Sequence, residues 1–172
     1  MAQTDLLDFM EQEEDTMKGK YLIFFIGNEL YGIEIRYITE IIGIQPITVV
    51  PEMPHYVKGI TNLRGKIIPV IDARLRFKKE VRDYDDRTCI IVLDSNGIST
   101  GLIVDNVSEV IAIADEDIAL PPDINKGGPR YIKGIGKSDG NAKLLLDCQI
   151  ILTDEEVELL SSVENSNNIN KA

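Results

Sequence analysis

The residues of this chain that could carry chemistry are few and scattered. The single histidine, His55, lies in a proline-flanked loop with no cysteine near it in sequence, so it cannot form a metal site with its neighbours. The carboxylate run Asp115-Glu116-Asp117 lies in a loop where adjacent side chains diverge, which favours a solvated face over an acid–base pair. The chain has neither a glycine-rich phosphate loop nor a Gly-x-Ser-x-Gly elbow. We therefore expect no enzyme, no metal and no cofactor.

The two cysteines, Cys89 and Cys148, lie within apolar runs that are typical of strands. We expect them to be buried as small hydrophobic side chains, since a cytosolic protein seldom forms disulfides and a buried thiol is inert.

Two charged residues stand out because they lie within or between apolar segments. Glu40 is flanked by Ile38-Thr39 and Ile41-Ile42, and Arg64 lies between two apolar strands. A charge in such a place is costly unless it is paired or exposed at an edge. Two compatible interpretations follow: Glu40 and Arg64 pair with each other to hold the fold together, or they mark a surface where arginine makes directional contacts with a partner.

An internal repeat organises the elements that position these residues. Tyr56-Val57-Lys58-Gly59-Ile60 returns 75 residues later as Tyr131-Ile132-Lys133-Gly134-Ile135, and Gly32, Ile35, Ile38, Glu40 and Ile41 have counterparts 69 residues later. Such self-similarity predicts two copies of one structural unit. Because a unit of about 65 residues buries too little surface to be stable alone, we expect the copies to pack on each other and to form a groove at the seam.

The pattern within each copy is of short apolar strands separated by turn signals. Gly27-Asn28 and Asp94-Ser95-Asn96-Gly97 predict hairpins, and 74–77 predicts one helical turn. The apolar spacing of 36–42 predicts a short helix or turn. Closely spaced strands with turn signals favour small barrels over a sheet built from βαβ units.

Charge and hydropathy restrict the partners. The net charge is −11, but residues 1–19 contribute −5 and 153–172 contribute −4, which leaves the body nearly neutral. A near-neutral body with acidic ends argues against nucleic-acid binding. The sequence contains no apolar run long enough to span a membrane and no signal peptide, so we expect a cytoplasmic protein with no direct membrane insertion.

Three segments together are similar to one known family. Tyr56–Asp72 (YVKGITNLRGKIIPVID), the segment from Tyr31 to Ile41, and Gly101–Val110 resemble motifs of the CheW-like domain family of chemotaxis coupling proteins. The resemblance runs from about Lys20 to Leu160. The family also includes the regulatory domain of the histidine kinase CheA, but a chain of this length without a kinase or receiver segment resembles the stand-alone members.

This resemblance implies an all-β fold of two pseudo-symmetric, intertwined five-stranded SH3-like barrels with a short C-terminal helix. It also implies a non-catalytic adaptor, or scaffold, of bacterial chemotaxis signal transduction. The partners would be the regulatory domain of CheA, bound at a barrel end, and the cytoplasmic tip of methyl-accepting chemotaxis receptors. The protein would then be recruited to membrane-associated chemoreceptor arrays. The alternatives are a scaffold of the same family in a non-chemotaxis chemosensory pathway, a small β-barrel enzyme and a nucleic-acid-binding barrel.

The resemblance also carries residue roles. Glu40, Gly59 and Arg64 match positions associated with coupling to kinase and receptor. The receptor-binding groove would be lined by Leu22, Ile35, Ile38 and Val104, although these four residues could equally be ordinary core. The second copy has Asp139 where the first has Arg64, so the arginine-bearing surface belongs to the first copy alone.

The expected organisation follows the repeat. We expect an acidic, flexible arm over 1–19 and a domain over 20–152, in which the first barrel covers about 20–83 and the second about 84–152. A capping box at Thr153 predicts a helix over 153–163, and 164–172 is expected to be a flexible tail.

Overall fold

The computed structural model describes residues 17–95, 97–121 and 131–151. These residues form eleven strands and one short helix: β1 Lys20–Ile26, β2 Glu29–Glu34, β3 Ile38–Gly43, β4 Val57–Leu63, β5 Lys66–Asp72, α1 Ala73–Arg76, β6 Cys89–Ser95, β7 Ile98–Val104, β8 Asn106–Ala112, β9 Ile118–Ala119, β10 Ile132–Ser138 and β11 Asn141–Leu146. Single 3₁₀ turns lie at Ile35–Tyr37 and Asp115–Asp117. The all-β prediction is confirmed.

The strands form two mixed sheets. The six-stranded sheet has the order β8-β1-β2-β11-β10-β9, and the five-stranded sheet has the order β3-β6-β7-β5-β4. Strands that are repeat equivalents occupy equivalent places, so the two sheets are related by approximate symmetry. The place of β9 beside β10 is taken in the five-stranded sheet by Thr48, which forms an isolated bridge with Ile60.

Each sheet is assembled from both halves of the chain. Strands β1 and β2 join β8–β11, whereas β6 and β7 join β3–β5. The exchange is made by two parallel pairings, β2 with β11 and β5 with β7. The boundary near residue 83 that the sequence predicted therefore does not separate the two sheets. A repeat specifies the strand order, but it does not specify which copy supplies each strand, because equivalent strands present the same pattern to either neighbour.

The two parallel pairings have the same register, and both require a glycine. Gly32 lies opposite Leu145 in the first pairing, and its equivalent Gly101 lies opposite Val70 in the second. A Cβ added to Gly32 would come within 2.8 Å of Leu145 Cδ2, and one added to Gly101 within 2.8 Å of Ile90 Cγ2. Glycine at these two positions leaves room for the side chains that fill each sheet's interior.

The inner strands of each sheet, such as β1 and β5, are almost continuously apolar because both of their faces are buried. Alternate residues of β1 illustrate this, since Ile23 packs inside the six-stranded sheet while Phe24 packs into a core shared by both sheets. The interior of the five-stranded sheet contains Ile68, Val70, Ile90, Val92 and Ile103. The shared central core includes Leu22, Phe24, Ile33, Tyr56, Ile71, Ile91, Leu102, Val104 and Leu146.

The short helix or turn predicted from the spacing of 36–42 is wrong for most of that segment. Only Ile35–Tyr37 forms a 3₁₀ turn, and Ile38–Gly43 is strand β3, paired with β6. The β-branched residues that dominate this segment favour extended backbone, and pairing with β6 supplies the hydrogen bonds that a short helix would have to provide alone. The helical turn predicted at 74–77 is confirmed by α1.

The remaining predicted segments fall largely outside the described residues. These are the C-terminal helix over 153–163, the tail over 164–172 and nearly all of the arm over 1–19. Within the described part of the chain, no helix is both long and apolar enough to cross a membrane.

The parallel junction between β5 and β7 can be tested with a pair of glycine substitutions. Gly101→Ala should lower the free energy of unfolding by about 1–3 kcal/mol, because the new methyl group overpacks the interior against Ile90. Gly43→Ala is the matched control on edge strand β3, where nothing lies within 4 Å of the added Cβ, and it should change stability by less than about 0.5 kcal/mol. Urea denaturation measures both, and equal losses would contradict the close approach at Gly101.

Candidate functional site

Glu40 and Arg64 form an ion pair at one end of the five-stranded sheet. Arg64 Nη1 lies 2.9 Å from Glu40 Oε2. The glutamate side chain is 21% exposed, whereas that of the arginine is 79% exposed. The pairing, which was one of the two interpretations of the sequence, is therefore present, and most of the guanidinium remains accessible.

The backbone of β3 places Glu40 for this contact. The pairing of β3 with β6 shifts register between Ile38 and Glu40, which makes Thr39 a bulge residue, and Thr39 Oγ1 donates a hydrogen bond to Val92 O at 3.1 Å. A bulge re-aims the side chains that follow it. Because β3 and β4 are the two edge strands of the five-stranded sheet and Arg64 follows β4, the ion pair joins the two edges of that sheet.

Arg64 is held in a backbone conformation that arginine rarely adopts. Arg64 and Gly65 form the two-residue turn between β4 and β5, with φ values of 54° and 83°, which is the pattern of a type I′ hairpin. Asn62 Oδ1 accepts a hydrogen bond from Gly65 N at 2.9 Å. A left-handed conformation costs a residue such as arginine about 1 kcal/mol, and asparagine, aspartate or glycine normally occupies this position.

The second copy shows the usual solution to the same turn. Asp139 and Gly140, the equivalents of Arg64 and Gly65, have φ values of 53° and 76°. Aspartate tolerates this conformation far better than arginine. The turn itself therefore does not require arginine, and an observed departure of this kind is a reason to assign the side chain a function.

The ion pair does not by itself account for the arginine. A pair whose arginine is this exposed contributes only about 0–1 kcal/mol to stability, which at most offsets the cost of the turn. Glu40 also has its second oxygen, Oε1, buried without a hydrogen bond from the described residues. The glutamate thus orients the guanidinium, while the remaining donors of Arg64 are directed outward, where they can bind carboxylate or carbonyl oxygens of a partner.

Gly59 allows a close approach between two backbone segments of the five-stranded sheet. Its φ is 150°, and a Cβ at this position would lie 2.0 Å from Thr48 O. The close approach arises because Thr48 N donates to Ile60 O at 2.8 Å and Ile60 N donates to Thr48 O at 2.9 Å, which ties the 46–48 segment to β4. Gly59 is therefore required for the backbone that lies beside the Arg64 hairpin.

The four residues assigned to the groove separate into two layers. Leu22 and Val104 are 3% and 1% exposed and belong to the central core. Ile35 and Ile38 are half-buried and pack against that core from the 3₁₀ turn and the start of β3. The structure thus brings all four to one hydrophobic cluster, of which only the two isoleucines have substantial accessible surface.

Exposed apolar residues are a feature of the site that the sequence analysis missed. Ile41, next to Glu40 on β3, and Val49, next to Thr48, are 43% and 77% exposed. Their equivalents in the second copy, Val110 and Leu120, are 51% and 77% exposed. The signal was available in β3, where alternate residues are half-buried and exposed, but the spacing of this segment predicts a short helix or turn instead.

The other residues with chemical potential lie apart from this site. Asp115, Glu116 and Asp117 are exposed on a 3₁₀ turn, and residues 17–95, 97–121 and 131–151 contain no cluster of ligands that could hold a metal ion. Burial raises the pKa of the Cys148 thiol to about 12, and it also raises the pKa of Cys89, so neither thiol is activated.

Comparison with known proteins identifies a matching family. Residues 20–156 match the family described as CheW-like domain. The chain is 36% identical over 153 residues to the chemotaxis protein CheW of Klebsiella aerogenes, which covers 88% of this chain and 92% of that protein. It is 32% identical over 145 residues to the chemotaxis protein CheW of Treponema pallidum, covering 81% and 85% respectively.

A solved structure shows the same fold. The crystal structure of the scaffolding protein TtCheW from Thermoanaerobacter tengcongensis superposes with a TM-score of 0.74 at 36% sequence identity. The match covers 80% of this chain and 94% of that chain. The two sheets described above are therefore similar to those of a scaffolding protein.

Alanine substitutions at Gly59 of β4 and Gly65 of the β4–β5 turn separate the cost of a backbone clash from the cost of a positive φ alone. Gly59→Ala should lower the free energy of unfolding by about 2–4 kcal/mol, because its Cβ would meet the Thr48 carbonyl and the segment around Thr48 would have to move. In Gly65→Ala, where the φ is also positive but nothing lies within 4 Å of the added Cβ, we expect a loss of only about 1 kcal/mol. Urea unfolding measures the free energy of unfolding of both variants. Similar losses in the two would show that the close approach of Thr48 O adds nothing to the cost of a side chain at position 59.

Proposed function

The chain belongs to the CheW-like domain family of chemotaxis adaptors, and from this membership we propose that it couples transmembrane chemoreceptors to the histidine kinase CheA without catalysing a reaction. The partners on this proposal are the regulatory domain of CheA and the cytoplasmic tip of methyl-accepting chemotaxis receptors. Neither interaction requires a cofactor or a metal. The protein would act in the cytoplasm, recruited to membrane-associated receptor arrays.

The observation that carries the proposal is the exposed guanidinium of Arg64. It is held in a strained turn, oriented by Glu40, and replaced by aspartate at the equivalent turn of the second copy. Arginine is enriched in the energetically dominant parts of protein interfaces. The exposed apolar residues Ile41 and Val49, next in sequence to Glu40 and Thr48, add accessible apolar surface to the same sheet. We assign the regulatory domain of CheA to this end of the five-stranded sheet.

A second surface suits a helical partner. Ile35 and Ile38 are half-buried and pack against the central core, which includes Leu22 and Val104. An amphipathic helix binds by laying its apolar face into an apolar groove, and on this proposal these residues line such a groove. We assign the receptor tip to this groove, with the two isoleucines as contacts and the two core residues supporting them. Micromolar affinity, about −8 kcal/mol, is within the reach of a surface of this kind.

Arg64→Asn tests the CheA surface without disturbing the turn. Asparagine fits the left-handed position, so the fold should be retained, while binding to the CheA regulatory domain should weaken about tenfold or more because the guanidinium donors are lost. Isothermal titration calorimetry measures the affinity, after circular dichroism has confirmed the folded state.

Asp139→Asn is the matched control, since it changes the equivalent turn of the second copy to the same residue. Its affinity for the CheA regulatory domain should equal that of the wild type. If Arg64→Asn binds as tightly as this control, the arginine is not part of the CheA surface. If the wild type binds neither CheA nor receptor, the adaptor proposal itself fails.

Ile35→Ala tests the groove. Binding of a receptor cytoplasmic fragment should weaken about tenfold, while stability should fall by less than the ~2–5 kcal/mol typical of a fully buried isoleucine, because Ile35 is only half-buried. Val81→Ala removes a comparable exposed aliphatic group from the 78–87 segment and should alter neither property. Receptor affinity that is unchanged in Ile35→Ala would place the receptor on a different surface.

A further inference from the structure

Arg76, at the end of α1, lies between two tyrosine rings from different sheets. Its Cζ is 4.9 Å from the ring centroid of Tyr56 and 4.9 Å from that of Tyr131. Tyr56 immediately precedes β4 of the five-stranded sheet, and Tyr131 immediately precedes β10 of the six-stranded sheet. Arg76 Nε also donates a hydrogen bond to Ile151 O at 2.8 Å. One side chain thus contacts both halves of the protein.

The short helix α1 presents the arginine rigidly. The carboxylate of Asp72 caps the helix by accepting a hydrogen bond from Arg74 N at 2.8 Å, and Phe77 N donates to Ala73 O at 2.9 Å. Asp72 also accepts a hydrogen bond from the Tyr84 hydroxyl at 2.7 Å, and both Asp72 and Ala73 are buried. Because α1 is capped by Asp72 and begins at two buried residues, Arg76 has little freedom to move away from the two tyrosine rings.

The position of Arg76 relates to the internal symmetry. Tyr56 and Tyr131 are repeat equivalents, and their carbonyl oxygens accept equivalent hydrogen bonds from Asp72 N at 2.9 Å and Asp147 N at 2.7 Å. The equivalent of Arg76 itself, 75 residues later, is Ile151, which is the residue whose carbonyl it binds. A single arginine therefore lies between a duplicated pair of tyrosines, at the junction of the two sheets.

A charge at this junction is not needed for packing. Burial lowers the pKa of Arg76, which reports the cost of removing the guanidinium from water, and among the described residues no carboxylate forms an ion pair with it. At the equivalent position, Ile151 fills the space with an apolar side chain and is 4% exposed. What the guanidinium adds is a plane that stacks on aromatic rings from two directions.

We propose that Arg76 is a positioning residue that sets the angle between the two sheets and thereby the shape of the groove. Leu22 lies on the six-stranded sheet, whereas Ile38 and Val104 lie on the five-stranded sheet, so a rotation of one sheet relative to the other changes the spacing of the groove residues. The part of this inference that concerns receptor binding rests on the proposed function, whereas the part that concerns the angle does not.

The angle can be measured without a partner. Amide residual dipolar couplings of the six-stranded and five-stranded sheets, fitted separately, give the orientation of one relative to the other. Arg76→Leu should remain folded, with each sheet unchanged internally but rotated relative to the other. Arg76→Lys, which keeps the charge but not the plane, should rotate in the same direction by a smaller amount. Arg87→Leu removes an exposed arginine from the segment between the copies and serves as the control.

An inter-sheet orientation in Arg76→Leu that matches Arg87→Leu would overturn the proposal. If Arg76→Leu does not fold, Tyr131→Leu, which removes one of the two rings, and Arg76→Lys provide the same measurement. A wild-type orientation in both of these variants would equally overturn it.

The link to the groove is tested by the two affinities measured on the same variant. Binding of the receptor cytoplasmic fragment to Arg76→Leu should weaken about tenfold, while its affinity for the CheA regulatory domain should stay within about twofold of the wild type. A rotated variant with wild-type receptor affinity would show that the angle does not control the groove. A wild type that binds no receptor would refute the proposed function, and Arg76 would then be judged by the orientation alone.

Discussion

The parallel contacts between β2 and β11 and between β5 and β7 are the constraint on which the rest of the structure depends. Each joins a strand of one half to a strand of the other, and each includes a paired glycine, Gly32 or Gly101. Because these contacts exchange strands, neither half has a sheet of its own. The central core contains side chains from both sheets. The groove residues and the tyrosine rings that contact Arg76 belong to this core or pack against it.

Positions at which the two copies of the repeat differ are informative, because the copies otherwise share one structure. Where the two copies agree, as at Gly59 and Gly134, an added Cβ would clash with the neighbouring segment in both copies, 2.0 Å from Thr48 O in the first and 2.6 Å from Ile118 Cγ2 in the second. At two of the positions where they differ, one copy has an arginine and the other has a residue that fits the same place more easily. Arg64 occupies a turn that aspartate fills more easily, and Arg76 occupies a place that isoleucine fills without burying a charge. In a protein with an internal repeat, each unusual residue can thus be compared with the equivalent residue of the other copy.

The sequence predicted the class of fold because the repeat and the doubly buried apolar strands leave a strong local signal. It did not predict which half supplies which strand, since two equivalent strands offer the same pattern to a neighbour. It misassigned 38–42, where the apolar spacing suits a helix and only the pairing with β6 decides for a strand. Glu40 and Arg64 were recognisable as charges in apolar surroundings, whereas Arg76 was not, because an arginine in a short helical turn usually points to solvent.

The strand exchange also imposes an order on assembly. All strands of the five-stranded sheet have been synthesised once β7 ends at Val104, but the six-stranded sheet lacks β11 until Leu146. At a synthesis rate of about 5–20 residues per second, the β1–β2 hairpin, which ends at Glu34, waits roughly 6–22 s for that neighbour. Strands β1 and β2, which precede the other described strands in the chain, are therefore among the last to be enclosed. During that interval the edge of β2 that later pairs with β11 is open to any other extended segment. The nascent chain is therefore exposed to incorrect strand pairing at an edge that is covered in the finished molecule.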